Sequence, residues 1–206
     1  MSKKKNQNNN KYEKIKIFTL GNQSVGKSCF ISKFVDDYFS DTYLMTAGMD
    51  NMSKTITLSN GKTYSVIFWD TAGQEMFKSI SLNSIKKADG VLLLYDITEK
   101  KTFDAIPKWM EDIKENKGLD FPIILLGNKC DLSEKRQISK EDGEELAKEY
   151  GIKFYETSNK DGTNIKEVGF DLINQIAETK SNQVQDFVII DKKDFKGIEE
   201  KSTCNC

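Results

Sequence analysis

The segment at residues 21–28, GNQSVGKS, is the feature that most constrains what this chain can form. It fits the pattern G-x-x-x-x-G-K-[ST], follows an apolar run at residues 15–20 and leads into residues with helical spacing, which is the context that the pattern requires. Its glycines allow consecutive backbone N–H groups to point inward as a nest for an anion, and the following helix adds the positive end of its dipole. The segment therefore predicts a phosphate-binding loop. The predicted loop residues are Gly21, Asn22, Gln23, Ser24, Val25, Gly26, Lys27 and Ser28.

Composition narrows the functions that this loop can serve. A chain of 206 residues with 37% hydrophobic content suits one domain with short tails. The net charge of -1 shows no basic surplus, which disfavours a nucleic-acid partner. Because histidine is absent, Ser-His-Asp chemistry, Cys-His pairs and imidazole metal sites are excluded. The four cysteines show no C-x-x-C spacing, and no signal peptide or apolar run of about 18 residues is present, so we expect a reduced compartment and no membrane span.

Strand and helix patterns alternate along the chain and predict an α/β fold. We expect a polar, disordered arm at residues 1–12, one domain at 13–180 and a flexible tail at 181–206. Asn60-Gly61 predicts a hairpin, and the later alternation predicts a mostly parallel six-stranded sheet with one antiparallel edge strand and helices on both faces. Strands are predicted at 15–20, 54–58, 64–69, 91–95, 122–126 and 153–155. Helices are predicted at 29–35, 102–116, 139–150 and 164–179, with an irregular or short helical piece at 76–87.

Residues at the ends of strands predict a metal and phosphate site. Lys27 would reach the terminal phosphates, and the hydroxyl of Ser28 would coordinate Mg²⁺. Asp70 follows an apolar strand and is placed to hold a water on that ion; its structural alternative is a turn cap. Gly73 would let a bare N–H approach a γ-phosphate, and Gln74 would orient an attacking water. Gln74 and Lys27 are therefore the predicted catalytic residues.

The loop Gly127-Asn-Lys-Cys-Asp131 indicates which base is bound. Guanine presents two adjacent donors, which the ionised carboxylate of Asp131 can accept together, whereas adenine presents a donor beside an acceptor. Lys129 can lay its stem over the base, and Asn128 can tie neighbouring loops together. We predict that Cys29 is part of the nucleotide-binding loop, and we interpret Cys29 and Cys130 as packing residues and not as a redox pair.

Taken together, these motifs resemble those of a Ras-superfamily small GTPase, and most of all those of the Rab branch, across residues 14–180. The resemblance implies a GTP/GDP switch that hydrolyses GTP and regulates vesicle trafficking. The motifs that carry it are Gly21 to Ser28, Trp69-Asp-Thr-Ala-Gly-Gln-Glu75, Leu94-Tyr-Asp-Ile-Thr98, Gly127-Asn-Lys-Cys-Asp131 and Glu156-Thr-Ser158.

The same resemblance implies roles for single residues. Thr46 matches the switch I threonine that joins the Mg²⁺ shell when the γ-phosphate is present, and Phe39 matches an aromatic beside guanine. Ser158, Asn159 and Lys160 match a Ser-Ala-Lys loop whose backbone contacts guanine, with Asn159 in place of the usual alanine. The implied effector region comprises Tyr43, Leu44, Met45, Thr46, Ala47, Gly48, Met49, Asp50 and Asn51.

The resemblance also implies partners and a location. The ending Cys204-Asn-Cys206 resembles the site on which Rab proteins carry two geranylgeranyl groups; two unmodified thiols are the alternative. Such a protein would occupy the cytoplasmic face of an intracellular or plasma membrane and cycle with the cytosol. Its implied partners are an exchange factor, a GTPase-activating protein, a GDP dissociation inhibitor, the prenylation machinery and effectors.

Three segments depart from the Rab pattern. Gln23 stands where a small residue is usual, so it could block the attacking water or an activating finger, or else turn into solvent. If Gln23 blocks the water or the finger, hydrolysis should be slow. In the limiting case the chain would be a GTP-bound adaptor that hardly hydrolyses GTP and works as a binding module. In the effector region Asn51 replaces an aromatic, and residues 84–87 (Ser-Ile-Lys-Lys) replace Tyr-Tyr-Arg-Gly, which leaves Trp69 alone of an aromatic triad and indicates private effectors.

Overall fold

Six strands form one sheet in the computed structural model, which describes residues 12–40, 49–71 and 85–194, without the side chains of Met49 and of residues 183–194. The spatial order is β2-β3-β1-β4-β5-β6. Only the pair β2 and β3 is antiparallel; the other neighbours run parallel, which confirms the predicted sheet. The strands are β1 (Glu13–Leu20), β2 (Met49–Thr57), β3 (Thr63–Thr71), β4 (Gly90–Asp96), β5 (Ile123–Asn128) and β6 (Lys153–Thr157).

Helices cover both faces of the sheet. They are α1 (Lys27–Asp36), α2 (Lys100–Asp104), α3 (Ile106–Lys117), α4 (Lys140–Glu149) and α5 (Ile165–Asp194), with a 3₁₀ segment at Cys130–Lys135. Successive residues of a strand point to opposite faces. Ile17 accordingly joins the core under α1 and α5, whereas Phe18 joins the core under α3 and α4.

The central strands are hydrophobic on both faces. Every residue of β4 and β5 is buried, as expected for parallel strands covered by helices on each side. At the edge, the hairpin turn between β2 and β3 depends on Gly61, whose φ is 79°. Helix α4 begins at a capping box in which the Asp142 N–H donates to Ser139 Oγ at 3.0 Å and the Ser139 N–H donates to Asp142 Oδ2 at 3.1 Å.

Two predicted helices were wrong in extent. The single helix at 102–116 is two helices, α2 and α3, which meet at Ala105. Pro107 lies in the first turn of α3, where its missing N–H is tolerated, so the chain restarts a helix there. Helix α5 continues to Asp194 and not to residue 179, so the backbone at 181–194 is helical where a flexible tail was predicted.

The extension of α5 has a local reason. Residues 181–194 contain neither glycine nor proline, so nothing in the backbone ends the helix. Lys180 also anchors it, since Nζ donates to Lys14 O at 2.8 Å and lies 3.2 Å from Asp89 Oδ1. Residues 1–11 and 195–206 lie outside the described residues, and the division into arm, domain and tail stays a prediction.

We predict that Gly143→Ala destabilises the domain. A Cβ at Gly143 would lie 2.5 Å from Tyr95 Oη and 2.6 Å from Phe154 Cζ. The free-energy cost of this overpacking is larger than the gain from alanine's higher helix propensity. We therefore expect the free energy of unfolding, measured with urea, to fall by about 1–2 kcal/mol. Glu145→Ala, at an exposed position of the same helix, is the matched control and should change it by no more than about 0.5 kcal/mol. Equal stability of the two variants would contradict this packing.

Candidate functional site

Three loops and the end of β3 meet at one edge of the sheet. The loops follow the carboxyl ends of β1, β5 and β6, and these ends lie on the same edge as that of β3 because the strands run parallel. In open α/β sheets this edge is where ligands bind. Side-chain hydrogen bonds cross between the loops, as described below. Most of the predicted nucleotide residues that the structure describes lie on these three loops or at the end of β3.

The loop between β1 and α1 has the backbone of an anion nest. Gly21 has a φ of 134° and Gly26 a φ of 101°, which favour glycine, and Ser24 adopts a left-handed φ of 63°. A Cβ at Gly26 would lie only 2.6 Å from Asn159 Nδ2 and would also strike the amide of Asn128. Glycine is therefore required at residue 26 both by its torsion angle and by the side chains packed over it. Gln23 and Ser24 are exposed at the rim of the loop.

Lys27 places a cation at the centre of the loop. Its side chain is buried, and Nζ donates to Gly21 O at 2.9 Å and to Asn22 O at 2.7 Å. Burial lowers the pKa of Lys27 to about 8, and the negative charge of Asp70 partly opposes that shift. A phosphate group in the loop would raise this pKa again, because an adjacent anion favours the ammonium ion.

Ser28 and Asp70 form a pair of oxygen donors beside this lysine. Ser28 Oγ donates to Asp70 Oδ2 at 2.6 Å, and Asp70 is buried at the end of β3. A hydroxyl and a carboxylate are hard oxygen ligands, so the pair fits the needs of Mg²⁺, which uses few protein ligands together with phosphate oxygens. Within the described residues no cluster of three or more His, Cys, Asp or Glu forms a separate metal site.

Asn128 connects the end of β5 with the phosphate loop. Its Nδ2 donates to Val25 O at 2.7 Å, and its Oδ1 accepts from Thr157 Oγ1 at 3.2 Å. The residue is fully buried, so these bonds replace contacts with water that it cannot make. Asn128 thus ties three loops together, as its position in the sequence predicted.

The two other polar residues of this loop are also held in place. Lys129 has a left-handed φ of 68°, and its Nζ lies 2.5 Å from Asp96 Oδ2. Asp131 accepts from Ser158 Oγ at 2.7 Å. Because a carboxylate offers about four acceptor positions, this bond orients Asp131 and leaves capacity for the two donors of a guanine.

Sequence reasoning missed three residues of the site. Asp96 holds Lys129, although the sequence marked it only as part of a family motif. Trp109, on α3, donates from Nε1 to Asn22 Oδ1 at 2.8 Å and so reaches the phosphate loop from another element. The side chain of Asn159 donates to Gly26 O at 2.9 Å, whereas only its backbone was expected to matter. Each contact joins residues far apart in sequence, so no local pattern signals it.

The other predicted residues either make no side-chain contact described above or lie outside the described residues. Phe39 is half-buried, Lys160 is exposed, and Asp50 and Asn51 are exposed on β2. Ile85, in the segment where an aromatic surface was expected, is fully buried in the core under α3 and α4. The predicted residues outside the described ranges are Tyr43, Leu44, Met45, Thr46, Ala47, Gly48, Gly73, Gln74, Cys204 and Cys206, as is the side chain of Met49.

The two described cysteines fit a packing role. Cys29 and Cys130 are free and half-buried. Burial is the main cause that raises the pKa of each thiol, which disfavours the reactive thiolate.

This arrangement defines a phosphate-loop protein with a base-recognition loop beside the phosphate site. The Ras family model matches residues 16–178 of the chain. Ras-related protein Rab-8B of Homo sapiens is 43% identical over 171 residues, which cover 83% of this chain and 82% of the relative. Rab-8A of Mus musculus is 44% identical over 161 residues, covering 78% and 77%, and Rab-13 of Bos taurus is 38% identical over 192 residues, covering 93% and 94%.

The chain therefore belongs to the Ras family. Within it, the relatives place the chain among the Rab-like small GTPases, which confirms the predicted resemblance. It is a GTP hydrolase that binds guanine nucleotide and acts in vesicle trafficking.

We expect Lys27→Ala to weaken nucleotide binding by about 100-fold or more. The variant loses the buried cation that the backbone carbonyls of Gly21 and Asn22 hold in the loop. Charge-assisted hydrogen bonds of this kind lead us to expect a loss of about 100-fold or more in GDP affinity by isothermal titration calorimetry. Lys33→Ala removes the same charge from the same helix, away from the loop, and should bind GDP like wild type. Tight GDP binding by Lys27→Ala would show that the cradle is assigned wrongly.

Proposed function

We propose that the chain works as a membrane-bound GTP/GDP switch in which this site binds the nucleotide with Mg²⁺. The observation that carries the proposal is that three sets of side chains meet at one sheet edge. Lys27 supplies a buried cation, Ser28 with Asp70 supplies metal ligands, and Asp131 held by Ser158 supplies a carboxylate for the base. Each set suits a different part of one molecule, namely the phosphates, the metal ion and guanine.

The chemistry at the phosphate end depends on positioning and electrostatics. Bound Mg²⁺ supplies neutralisation of phosphate charge. Ser28 and Asp70 would hold that ion, and Thr46 would complete its shell when the γ-phosphate is present. Lys27 would stabilise the charge on the terminal phosphates, and Gln74 would orient the attacking water. The backbone N–H of Gly73 would contact the γ-phosphate, so that the switch loops relax once that group leaves.

Selection of guanine rests on the loops after β5 and β6. Asp131 would accept the N1–H and the exocyclic amine together, and adenine would be rejected because its acceptor would face the same carboxylate. Lys129, held by Asp96, would cover one face of the base and Phe39 would pack beside it. The backbone of Ser158, Asn159 and Lys160 would complete the contacts with guanine.

Attachment to a membrane is assigned to the carboxyl end. Within the described residues no helix is long and apolar enough to cross a bilayer. Residues 181–206 carry four lysines against five acidic residues, so charge cannot supply a second membrane signal. Stable anchoring needs two signals, which two geranylgeranyl groups on Cys204 and Cys206 would provide.

The partners of the switch follow from the same family. An exchange factor, a GTPase-activating protein, a GDP dissociation inhibitor and the prenylation machinery would act on it. The effector region at residues 43–51 would meet effectors of its own. Asn51 supports this, because it is exposed on β2 opposite Trp69 and offers a polar surface where an aromatic is usual.

The second candidate function is a GTP-bound adaptor with little turnover. It is favoured by Gln23, a long side chain exposed at the rim of the phosphate loop. Such a side chain could exclude the attacking water or the finger residue of an activating protein. That finger raises hydrolysis rates by about 10³- to 10⁵-fold, so its loss would leave a long-lived GTP state.

Single-turnover hydrolysis of Gln23→Ser decides between these functions. If Gln23 blocks hydrolysis, we expect the serine variant to be faster than wild type by about 10-fold or more in the presence of an activating protein. Gln23→Met keeps the length of the side chain and should stay slow. Equal rates for wild type and Gln23→Ser, with and without the activating protein, would eliminate the block. The nucleotide that copurifies with wild type gives a further measure, because bound GDP indicates turnover and bound GTP an adaptor.

A second expected outcome concerns the tail. A tagged chain carrying Cys204→Ser and Cys206→Ser should move from the membrane to the soluble fraction, because it cannot carry either lipid. Each single variant should keep only weak attachment, since one chain gives marginal, reversible binding. Cys29→Ser, a change at a cysteine outside the tail, should sediment like wild type. If the double variant stayed on membranes, anchoring by these two cysteines would be wrong.

A further inference from the structure

The side chain of Asn159 reaches from the base-recognition loop to the phosphate loop. It is 5% exposed, and its Nδ2 donates to Gly26 O at 2.9 Å. Gly26 directly precedes Lys27 and Ser28, so the bond ends beside the groups that would hold phosphate and metal. Asn159 itself lies beside Ser158, whose hydroxyl orients Asp131. One hydrogen bond thus connects the two halves of the proposed nucleotide site.

This bond runs beside the one made by Asn128. Asn128 Nδ2 donates to Val25 O at 2.7 Å, so two successive carbonyls of the phosphate loop are each held by an asparagine amide. The two amides lie over the Cα of Gly26, where any side chain would collide with them. Both donors reach this loop across a gap in sequence of more than a hundred residues. The phosphate loop is therefore held by two amides, one from the end of β5 and one from the loop after β6.

The chemistry of Asn159 differs from that of the alanine usual at this position. The side chain of alanine has no hydrogen-bond donor, so a chain with alanine at this position would lack the bond to Gly26 O. The amide is also buried with Oδ1 accepting no hydrogen bond from the described part of the chain. Burial of an unpaired acceptor is unfavourable and offsets part of the stability that the donated hydrogen bond contributes.

We propose that Asn159 is a positioning residue that couples the base subsite to the phosphate subsite. The amide of Asn159 fixes Gly26 O and with it the conformation of the phosphate loop, so that a base held at the loop after β6 and phosphates held at the phosphate loop stabilise the same arrangement. Binding of the base therefore favours binding of the phosphates, and the reverse. The binding free energy of a nucleotide that has both groups is then more favourable than the sum of the two separate contributions. The inference rests on the proposed nucleotide site and concerns the way in which its two halves cooperate.

The test compares two ligands that share the base but differ at the phosphate end. Dissociation constants for GDP and GMP are measured by calorimetry, with Mg²⁺, on the full chain and on Asn159→Ala. Loss of one coupling hydrogen bond should weaken GDP by about 2- to 12-fold. GMP lacks the β-phosphate that contacts the loop, so its affinity should change less than about 2-fold. Asn159→Asp keeps the size of the side chain but places a carboxylate oxygen against Gly26 O, and should weaken GDP by a larger factor.

Thr163→Ala is the matched control for damage to the loop. Thr163 Oγ1 donates to Asp161 Oδ1 at 2.6 Å within the same loop and makes no bond to the phosphate loop. It should leave the ratio of the GDP and GMP constants unchanged. An equal loss for both ligands in Asn159→Ala, or no loss for either, would overturn the coupling role. If wild type bound neither ligand, the nucleotide site itself would fail, and this role with it.

Discussion

The rest of the site depends on the hydrogen bonds that the buried ammonium group of Lys27 makes inside the phosphate loop. Lys27 is held by the carbonyls of Gly21 and Asn22 inside a loop in which Gly21, Ser24 and Gly26 have positive φ angles. Burial of that charge lowers its pKa to about 8, so the loop is electrostatically incomplete by itself. An anionic ligand compensates the charge, and the neighbouring Ser28 and Asp70 can share that ligand's metal ion. The geometry of one short turn thereby determines which class of ligand the domain binds.

The loop keeps its shape because other elements hold it. Three asparagines take part: Asn22 accepts from Trp109 on α3, Asn128 donates to Val25 O from the end of β5, and Asn159 donates to Gly26 O from the loop after β6. Amide side chains suit this task, because one group can donate and accept without bringing a charge into the interior. The contacts of Asn128 and Asn159 arise because parallel strands bring the carboxyl ends of β1, β5 and β6 to one edge of the sheet. Packing of the helices on both faces thus fixes the site as well as the core.

Two departures from the Rab pattern have different physical meanings in the structure. Asn51 is exposed on the edge strand, opposite Trp69, and changes a surface. Ile85 stands where an aromatic is usual and is fully buried in the core, so in this chain the residue contributes to packing. The surface that effectors would meet is therefore altered at Asn51 on β2, whereas Ile85 belongs to the hydrophobic core.

The sequence by itself determined the fold class, the phosphate loop and the base-recognition loop, because each depends on residues that are close together along the chain. Apolar runs of strand length indicate the fold class, glycines before a lysine indicate the phosphate loop, and a carboxylate two residues beyond a lysine indicates the base-recognition loop. Only the tertiary structure decided which distant side chains support those loops. Asp96, Trp109 and the amide of Asn159 were missed for that reason. The break at Ala105 and the continuation of α5 to Asp194 were missed because helix ends depend on caps and tertiary contacts. One such contact is the hydrogen bond from Lys180 Nζ to Lys14 O on β1, which the periodicity of apolar residues cannot reveal. Local chemistry encodes the ligand-binding loops, whereas the partners that hold them come from strand order and helix packing, which bring residues together across the whole chain.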